Sequence, residues 1–445
     1  MASSLFNIGL SGLRAARGSL DLTAQNIANA ATDGYVRRSL RLSEVGTSTS
    51  WLAPGDLTLS GVRVDGVARN ADLFRQAEVR RTGSDLARAG TELTGLENIE
   101  AALDQSGVFP AMTAFEASLQ RLESNPVDSA LRAGALEDAR TLARSFNLAA
   151  GSLDTVGAGL AFSAQAGTAQ VNSSAAELAR VNLQLSRSRS GSSDQALLLD
   201  RRDSLLEQIS GQAGISTTVG PDQSVTVRLG DANGPMLVSG GTTQTLAMTT
   251  VADGTISFTV GGSAVTISAG TLAGQAQGLI AVRDRKAELD AIATGLINTA
   301  NAAQANGVGL DGAAGQPLFS GSSAGTMALA LTSAGGWATA PSGAPAGSRN
   351  PANLTAFRTA LDSANVASQL DRLLFASASA TAARRTTADA LGSINGAAKV
   401  ALAEQAGVSL DDEAANLVRF QQAFQASGKV IQVASDLFDT LLAIR

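Results

Sequence analysis

The carboxyl-terminal stretch from Ser409 to Arg445 carries the clearest periodic pattern of apolar residues in the chain. It contains no proline and a single glycine, and its large apolar residues recur at intervals of seven. Such a repeat keeps one apolar seam on the same side of a helix, which is typical of a coiled coil. The seam consists of Leu410, Leu417, Phe424, Ile431 and Phe438, and the neighbouring stripe contains Phe420, Ala434 and Leu441.

The same stretch has the polar residues that begin a helix. Ser409 is a candidate N-cap, and residues 411–413 are acidic, as the positive end of a helix dipole favours. Ordering the backbone costs about 1–2 kcal/mol per residue. Burying a large apolar side chain returns about 1.5–3 kcal/mol, and the stretch has only about a dozen of them. We therefore expect this helix to need partners along its whole length.

The amino terminus has a matching pattern. Its large apolar residues are also spaced by seven, and small residues fill the stripe three places further on, so that a second helix could approach closely. The large residues are Phe6, Leu13, Leu20 and Ile27, and the small ones are Gly9, Ala16, Thr23 and Ala30. We expect the two terminal helices to pack on each other and then on copies of themselves. Periodicity alone is equally compatible with two helices of an ordinary globular core.

The middle of the chain predicts a helical bundle that is interrupted by a β module. Short segments rich in Val, Ile and Thr, separated by Gly, Asp and Asn, predict strands over residues 215–268. A stretch rich in Gly, Ala, Ser and Thr, residues 307–350, is expected to loop over the surface. A short extended segment is predicted over 62–67. Helices are predicted over 71–103, 110–125, 127–188 with its glycines as interruptions or tolerated defects, 194–210 with Asp194 as its cap, 274–306, and from 353 onwards.

These elements give a mainly α fold with an inserted β module and a nested axial architecture. The terminal helices, residues 1–34 and 405–445, pair as a coiled coil and form the innermost layer. A helical bundle made of residues 35–214 and 269–404 surrounds them. The small β domain, residues 215–268, is the outer layer.

Composition and charge exclude several function classes. The chain has no histidine and no cysteine, which excludes Ser-His and Cys-His nucleophiles, disulfides and the usual zinc sites. A net charge of −6 argues against nucleic-acid binding. No apolar run approaches the ~18 residues of a membrane span, so no membrane insertion is expected. The amino terminus lacks the features of a Sec signal peptide, which by itself would indicate a cytoplasmic protein.

The remaining candidates for chemistry have simpler explanations. The acidic run at 411–413 suits a helix start better than catalysis. Residues 231–234 resemble the start of a calcium loop, but Gly240 stands where the bidentate acid should be, so a hairpin turn is favoured. The glycines at 240–241 and 307–312 have no phosphate-loop spacing. We predict no catalytic residue, no cofactor and no metal site, and hence no enzyme.

One amino-terminal motif resembles a known family. The run from Gln25 to Asn29, then Thr32 to Tyr35 with two following arginines, resembles the signature of the bacterial flagellar rod, hook and hook-associated axial proteins. Gln25 and Asp33 depart from the family's Asn and Pro, although Asp-Gly turns a chain as readily as Pro-Gly. The matching residues are Asn26, Ile27, Asn29, Gly34 and Tyr35. Residues 194–215 and 407–445 resemble the hook–filament junction members of that family more closely than its hook or rod proteins.

The resemblance implies a structural subunit at the junction between hook and filament. Such a protein is exported through the flagellar type III apparatus by an uncleaved amino-terminal region and assembles at the hook tip as its terminal helices fold. The implied location is extracellular, in the flagellum, after a transient cytoplasmic stage. The implied partners are copies of itself, the hook protein, the second junction hook-associated protein, the export apparatus and a dedicated cytoplasmic chaperone. We expect the chaperone to cover Leu417, Phe420, Phe424 and Ile431.

Two alternatives stay open at this point. One is another axial subunit, a hook or rod protein; the helix at 194–210, the helix-rich second layer and the length of the chain speak against it. The other is a secreted effector that uses axial-type termini for export. An effector would need a catalytic insert, and the predicted β module offers no acid pair or nucleophile that stands out.

Overall fold

The computed structural model describes residues 2–32, 34–48 and 57–443, and nine helices account for most of them. Asp33 of the predicted signature lies outside the described residues, and so does the side chain of Leu441. The helices are α1 (Ala2–Ala28), α2 (Leu73–Gln105), α3 (Val108–Ser124), α4 (Ser129–Arg187), α5 (Ser193–Gln212), α6 (Thr271–Ala305), α7 (Ala352–Ala364), α8 (Val366–Ala406) and α9 (Leu410–Ala443).

The strands form a hairpin near the amino terminus and a separate β module after α5. The hairpin consists of β1 (Arg38–Ser48) and β2 (Leu57–Arg69), which pair antiparallel. The module has two small antiparallel sheets with the orders β3-β4-β5-β6 and β7-β8-β9. Its strands are β3 (Ile215–Val219), β4 (Val225–Leu229), β5 (Met236–Ser239), β6 (Thr242–Thr243), β7 (Leu246–Thr250), β8 (Ile256–Val260) and β9 (Ser263–Val265). The prediction of a mainly α fold with an inserted β module is confirmed.

Two hydrophobic cores follow one another along the bundle. The near core joins the β module to α5, the second half of α4 and the start of α6, with Leu178, Leu205 and Val227 at its centre. The far core joins α3, α7, the first half of α4, the second half of α6, the end of α2 and the start of α8. Since α2 has 33 residues, it runs ~50 Å from its start beside α5 to Leu103 in the far core. The β module therefore lies against the outside of the helices at the near core.

Helix α4 runs unbroken for 59 residues, so its glycines are tolerated defects rather than interruptions. Each glycine inside a helix costs roughly 0.5–1 kcal/mol relative to alanine. That cost is offset here because α4 buries side chains in both cores, from Leu136 to Leu153 and from Ala164 to Leu185, with Val156 and Leu160 partly buried between them.

The start of α5 lies one residue before the predicted one. The helix is capped by Ser192 rather than by Asp194, because the Oγ of Ser192 accepts a hydrogen bond of 3.1 Å from the backbone N–H of Gln195. Serine is a strong N-cap residue. Asp194 lies in the first turn instead, where the helix dipole still favours its carboxylate.

Residues 307–341, which we call the cover segment, were predicted to loop over the surface, and that prediction was wrong. Leu318, Phe319 and Trp337 are fully buried in the far core. Polar side chains of the helices satisfy the segment's backbone: Asn147 donates to the carbonyls of Ala324 and Met327, Asn301 bonds to both backbone groups of Phe319, and Gln304 and Asn353 hold Ala338. Its small-residue composition reflects this close packing of backbone against helix.

The terminal helices α1 and α9 pack on each other as predicted, and small residues set their distance. A Cβ at Gly9 would lie 2.7 Å from Cγ1 of Ile431, and one at Gly12 would lie 2.8 Å from the Oγ of Ser427. At Gly9 a larger residue would also approach the backbone of α9, whereas at Gly12 the near atom is a hydroxyl that can rotate away. None of the described helices combines the length and apolar character that crossing a bilayer requires.

This packing predicts a specific disulfide in a chain that has no cysteine of its own. A Cβ at Gly12 would lie 3.6 Å from the Cβ of Ser427, which suits a disulfide. The double variant Gly12→Cys/Ser427→Cys should therefore oxidise within the chain, as measured by loss of free thiol in intact mass spectrometry. The control Gly12→Cys/Gly428→Cys moves one cysteine by ~100° around α9 and should stay reduced. Equal oxidation of both variants would contradict the described register.

Candidate functional site

After α1, the chain forms the β1–β2 hairpin, which packs against that helix. A Cβ at Gly61 in β2 would lie 2.3 Å from the Oγ of Ser11, and this hydroxyl accepts a hydrogen bond of 3.1 Å from the N–H of Val62. The extended segment predicted over 62–67 is thus part of a longer, paired strand. Further along β2, Gly66 crosses the turn between α4 and α5, and the N–H of Val67 donates to the carbonyl of Gly191 at 2.7 Å.

Asn26 joins the end of α1 to the start of β1. Its side chain is 1% exposed. The Nδ2 donates to the carbonyl of Arg38 at 2.9 Å, while Oδ1 accepts from the N–H of Arg38 at 3.0 Å and from the hydroxyl of Tyr35 at 2.8 Å. An amide side chain suits this position because it offers donors and an acceptor in one plane. Two residues of the predicted signature, Asn26 and Tyr35, are therefore in direct contact.

Tyr35 and Arg38 connect this bend to the bundle. The guanidinium carbon of Arg38 lies 5.0 Å from the centroid of the Tyr35 ring, a cation–π geometry, and Arg38 forms an ion pair with Asp200 on α5. Burial raises the pKa of Tyr35 above its ordinary value, and the charges of Asp200 and Glu413 act in the same direction while Arg38 opposes them. The phenol consequently stays protonated at neutral pH and keeps donating to Asn26.

A cluster of charged side chains, which we call the junction cluster, extends this contact. It consists of Arg38, Arg69, Asp200, Arg202 and Asp203. Arg69 lies 2.7 Å from Oδ1 of Asp200 and 2.9 Å from Oδ2 of Asp203, and Arg202 lies 2.7 Å from Oδ1 of Asp203. The three arginines are almost completely buried. Removing one partner of such a group leaves an uncompensated buried charge, which typically costs about 3–5 kcal/mol.

The start of α9 is tied to the same bend through Arg37. Glu413, 1% exposed, accepts a hydrogen bond of 2.6 Å from Nε of Arg37. The backbone N–H of Arg37 donates to the carbonyl of Ala406 at 3.0 Å. Ser409 caps α9 as predicted, with its Oγ accepting from the N–H of Asp412 at 3.3 Å. The acidic run at 411–413 thus begins a helix, and its last member also locks that helix to the bend.

The remaining signature residues make fewer contacts. Ile27 is half-buried. Asn29 is half-buried too, and its Nδ2 donates to the carbonyl of Gln25 at 2.9 Å, which extends the end of α1. Gly34 has a φ of +76°, a left-handed conformation that favours glycine. The part of the signature that bonds across elements is therefore Asn26 together with Tyr35.

The predicted interface residues of the terminal helices fall into two groups. Leu13, Leu20, Ile27, Leu417, Phe420 and Ile431 are half-buried in the single chain. Phe6, Leu410, Phe424 and Phe438 keep more than a third of their surface exposed. The packing of α1 on α9 therefore partly covers the first group, whereas the side chains of the second group stay accessible in the single chain.

A second apolar stripe on α9 was not predicted from the sequence. Val430, Val433 and Leu437 are exposed and lie on one face of the helix, since they are spaced by three and four residues. The seven-residue repeat that begins at Leu410 marks the neighbouring face of α9. The spacing of these three residues was the available signal.

In the described part of the chain, no group of three or more acidic, histidine or cysteine side chains is placed to hold a metal ion. The charged groups of the junction cluster are engaged with one another. This arrangement can hold the helices α1 and α9 and the β1–β2 hairpin on the bundle in one orientation.

Two family models match the chain. The one described as the flagellar hook-associated protein FlgK helical domain matches residues 93–319, just over half of the chain. The one described as the flagellar basal body rod FlgEFG protein C-terminal matches residues 401–444. The first model thus covers the β module and the helices from the end of α2 to α6, and the second covers α9.

Individual relatives carry the same description. The flagellar hook-associated protein 1 of Salmonella typhimurium is 31% identical over 251 residues, which cover 55% of this chain and 44% of the relative. The protein of that name from Bacillus subtilis is 28% identical over 213 residues, covering 46% and 42%. The match thus spans less than half the length of these relatives. A solved structure, the flagellar hook junction protein FlgK from Burkholderia pseudomallei, aligns with a TM-score of 0.48 and 24% identity over 55% of this chain and 46% of that one.

The contacts of Asn26 predict a large effect of its loss. Asn26→Leu should destabilise the bend by about 2–4 kcal/mol, because two backbone groups of Arg38 and the Tyr35 hydroxyl lose their partner in a buried place. The rate of hydrogen exchange at the backbone amides of residues 35–42 measures this destabilisation. Asn29→Leu is the matched control and should change exchange there by less than about twofold, since its side-chain bonds go to Gln25 and Thr32 and neither of them reaches β1. Similar effects of the two variants would contradict the role of Asn26.

Proposed function

Because the chain belongs to the family of the flagellar hook-associated protein FlgK, we propose that it is a structural subunit of the bacterial flagellum, located where the hook meets the filament. One observation carries the proposal: the amino-terminal signature, the central helix α5 and the start of α9 form one buried network. These are the segments on which the resemblance rests. A network of this kind fixes the terminal helices on the bundle, as a subunit of a continuous tube requires.

The exposed apolar residues of the terminal pair support self-association. Phe424 and Phe438 lie at the rim of the seam that faces α1, and Val430, Val433 and Leu437 lie beside it. One partner helix cannot cover both faces of α9. Neighbouring copies in a tube would cover what α1 leaves free. The interface residues predicted from the sequence are kept in this proposal, with the second stripe added to them.

Folding of the terminal helices is proposed to be coupled to assembly. A two-helix pair that leaves this much apolar surface in water is marginal, and neighbours at the growing tip would complete its burial. The chaperone site predicted at Leu417, Phe420, Phe424 and Ile431 fits this order of events. Three of these side chains are half-buried when α1 is in place. A chaperone that covers them would therefore bind before α1 packs.

The remaining parts of the proposal rest on the family. The protein would leave the cytoplasm through the flagellar type III apparatus and act outside the cell. Its partners would be the hook protein and the second junction hook-associated protein. The division into a terminal pair, a bundle and a β domain at 215–268 stays a prediction.

A hook or rod subunit is the second candidate, and one observation bears on it. The match to the rod-protein model covers residues 401–444, whereas the match to the FlgK model covers residues 93–319, which contain α3 to α6 of the bundle. The helical bundle therefore favours the junction. A secreted effector is a weaker candidate still, because the junction cluster would serve no purpose in a chain whose termini act only in export.

Deleting the gene and imaging cells by negative-stain electron microscopy tests the function. We expect complete hooks without filaments and flagellin in the medium. Missing hooks would move the protein to the hook or rod, and normal filaments would contradict the axial assignment.

Complementation of that strain tests the interface. Val433→Asp/Leu437→Asp should reduce filament number at least tenfold, because burying an unpaired carboxylate costs several kcal/mol. Gln432→Asp adds a charge on the other side of α9 and should restore filaments. Full rescue by the double variant would remove the second stripe from the interface.

Hydrogen exchange on dilute, verified monomer tests coupled folding. Amides before about residue 29 and after residue 410 should exchange at least 100-fold faster than those of the far core, because α9 is covered on one side by α1, and α1 by α9 and the hairpin, whereas the far core is enclosed by helices. Under conditions in which the protein assembles, the exchange of these amides should become slower. Equal protection of the terminal pair and the far core in a monomer would contradict assembly-coupled folding.

A further inference from the structure

Arg132 lies in the first turn of α4 and is buried in the far core with 1% of its surface exposed. Every hydrogen bond of its guanidinium goes to a neutral oxygen. Nε donates to the carbonyl of Pro126 at 2.5 Å, Nη1 to the carbonyls of Ala334, Gly335 and Trp337 at 3.3, 3.2 and 3.1 Å, and Nη2 to the Oγ1 of Thr339 at 2.8 Å. Four of these five acceptors belong to the cover segment.

Two physical effects oppose a cation at this position. Within the described residues, Arg132 has no carboxylate at ion-pair distance, and burial lowers its pKa. The amino-terminal end of a helix also carries partial positive charge, which repels a cation. Arginine nevertheless stays charged in proteins, so its burial must be compensated by the five oxygen dipoles. The presence of Arg132 despite its burial and the helix dipole indicates that this side chain has a specific role in positioning the cover segment.

The cover segment depends on such outside contacts because it has little regular structure. Its ends meet where β10 (Gly307–Val308) pairs with β13 (Ala340–Pro341). Between them lie only the two-residue strands β11 (Phe319–Ser320) and β12 (Ala328–Leu329) and two short 3-10 turns. A loop with adjacent ends can leave its site without pulling on the helices before and after it.

The underside of the segment is aromatic. The rings of Phe319 and Trp337 lie 6.2 and 6.4 Å from the ring of Phe115 on α3, measured between centroids. The ring of Phe357 on α7 lies 6.4 Å from that of Phe115. The helices α3 and α7 therefore share an apolar surface that the segment closes.

We propose that Arg132 latches the cover segment onto α4, and that the segment opens as one local unit when the latch is lost while the helices stay folded. The amides of Asn147 and Asn301 hold the segment at separate points on α4 and α6, whereas Gln304 bonds to Ala338 in the stretch that Arg132 also binds. Arg132 makes four further bonds to residues 334–339, so its loss removes most of the side-chain support of the stretch that includes Trp337. This inference is independent of the proposed flagellar function.

Hydrogen exchange by mass spectrometry on the full chain tests the latch. Arg132→Met keeps the length of the side chain and removes its donors, so exchange in residues 310–339 should rise roughly 100-fold or more, with α3 and α6 unchanged. Thr339→Val, a milder change, leaves Nη2 without its acceptor and should raise exchange in that segment about tenfold. Arg140→Met is the control on the same helix, where an exposed arginine pairs with Glu137, and should change neither region.

Fluorescence gives a second measurement. The chain has two tryptophans, so Trp51→Phe leaves Trp337 as the single emitter. Its emission should shift to longer wavelength with Arg132→Met and not with Arg140→Met.

The outcomes separate the possibilities. Faster exchange that is equal in the cover segment and in α3, α4 and α6 would show that the segment is not a separate unit. Unchanged exchange with Arg132→Met would show that Arg132 is no latch. If that variant does not fold, Thr339→Val decides, because unchanged exchange of the segment in this folded variant would overturn the proposal.

Discussion

The hydrogen bonds of Asn26 fix the angle between α1 and β1. The ion pairs that attach both terminal helices to the bundle depend on that angle. With the bend held, Arg38 reaches Asp200 on α5 and Arg37 reaches Glu413 on α9. Both termini are thereby anchored at one point of the bundle. Without the bend, the buried guanidinium of Arg38 would lose the carboxylate of Asp200, and a charge that is now paired would become unfavourable.

The patterns with one clear period predicted the structure well. The seven-residue repeats of the two ends predicted α1, α9 and their packing, because a seam of fixed spacing has few alternatives. The β module was recognisable from its short Val- and Thr-rich segments and from the glycine turns between them. The motif residues that make cross-element contacts, Asn26 and Tyr35, were also identified, although their partners were not. Partners such as Arg38 and Asp200 are 162 residues apart, which no local pattern reveals.

The failures share a cause, namely that tertiary contacts outweighed local preference. The glycines of α4 left breaks open as one outcome, but burial in both cores kept the helix continuous. The small residues of the cover segment predicted an exposed loop, whereas Arg132 and the helix amides supply what its backbone needs. Those polar residues look like ordinary helix positions in the sequence. Only the fold shows that they point at one segment.

The uninterrupted course of α4 makes the two ends of the bundle mechanically dependent. A helix of 59 residues is ~90 Å long and passes through both cores without a joint. A tilt of about one degree at its near-core end displaces its far end by roughly 1.5 Å, less whatever gentle bending the helix absorbs. A small reorientation at the near core is thus amplified geometrically at the far core, because α4 has no joint between the two.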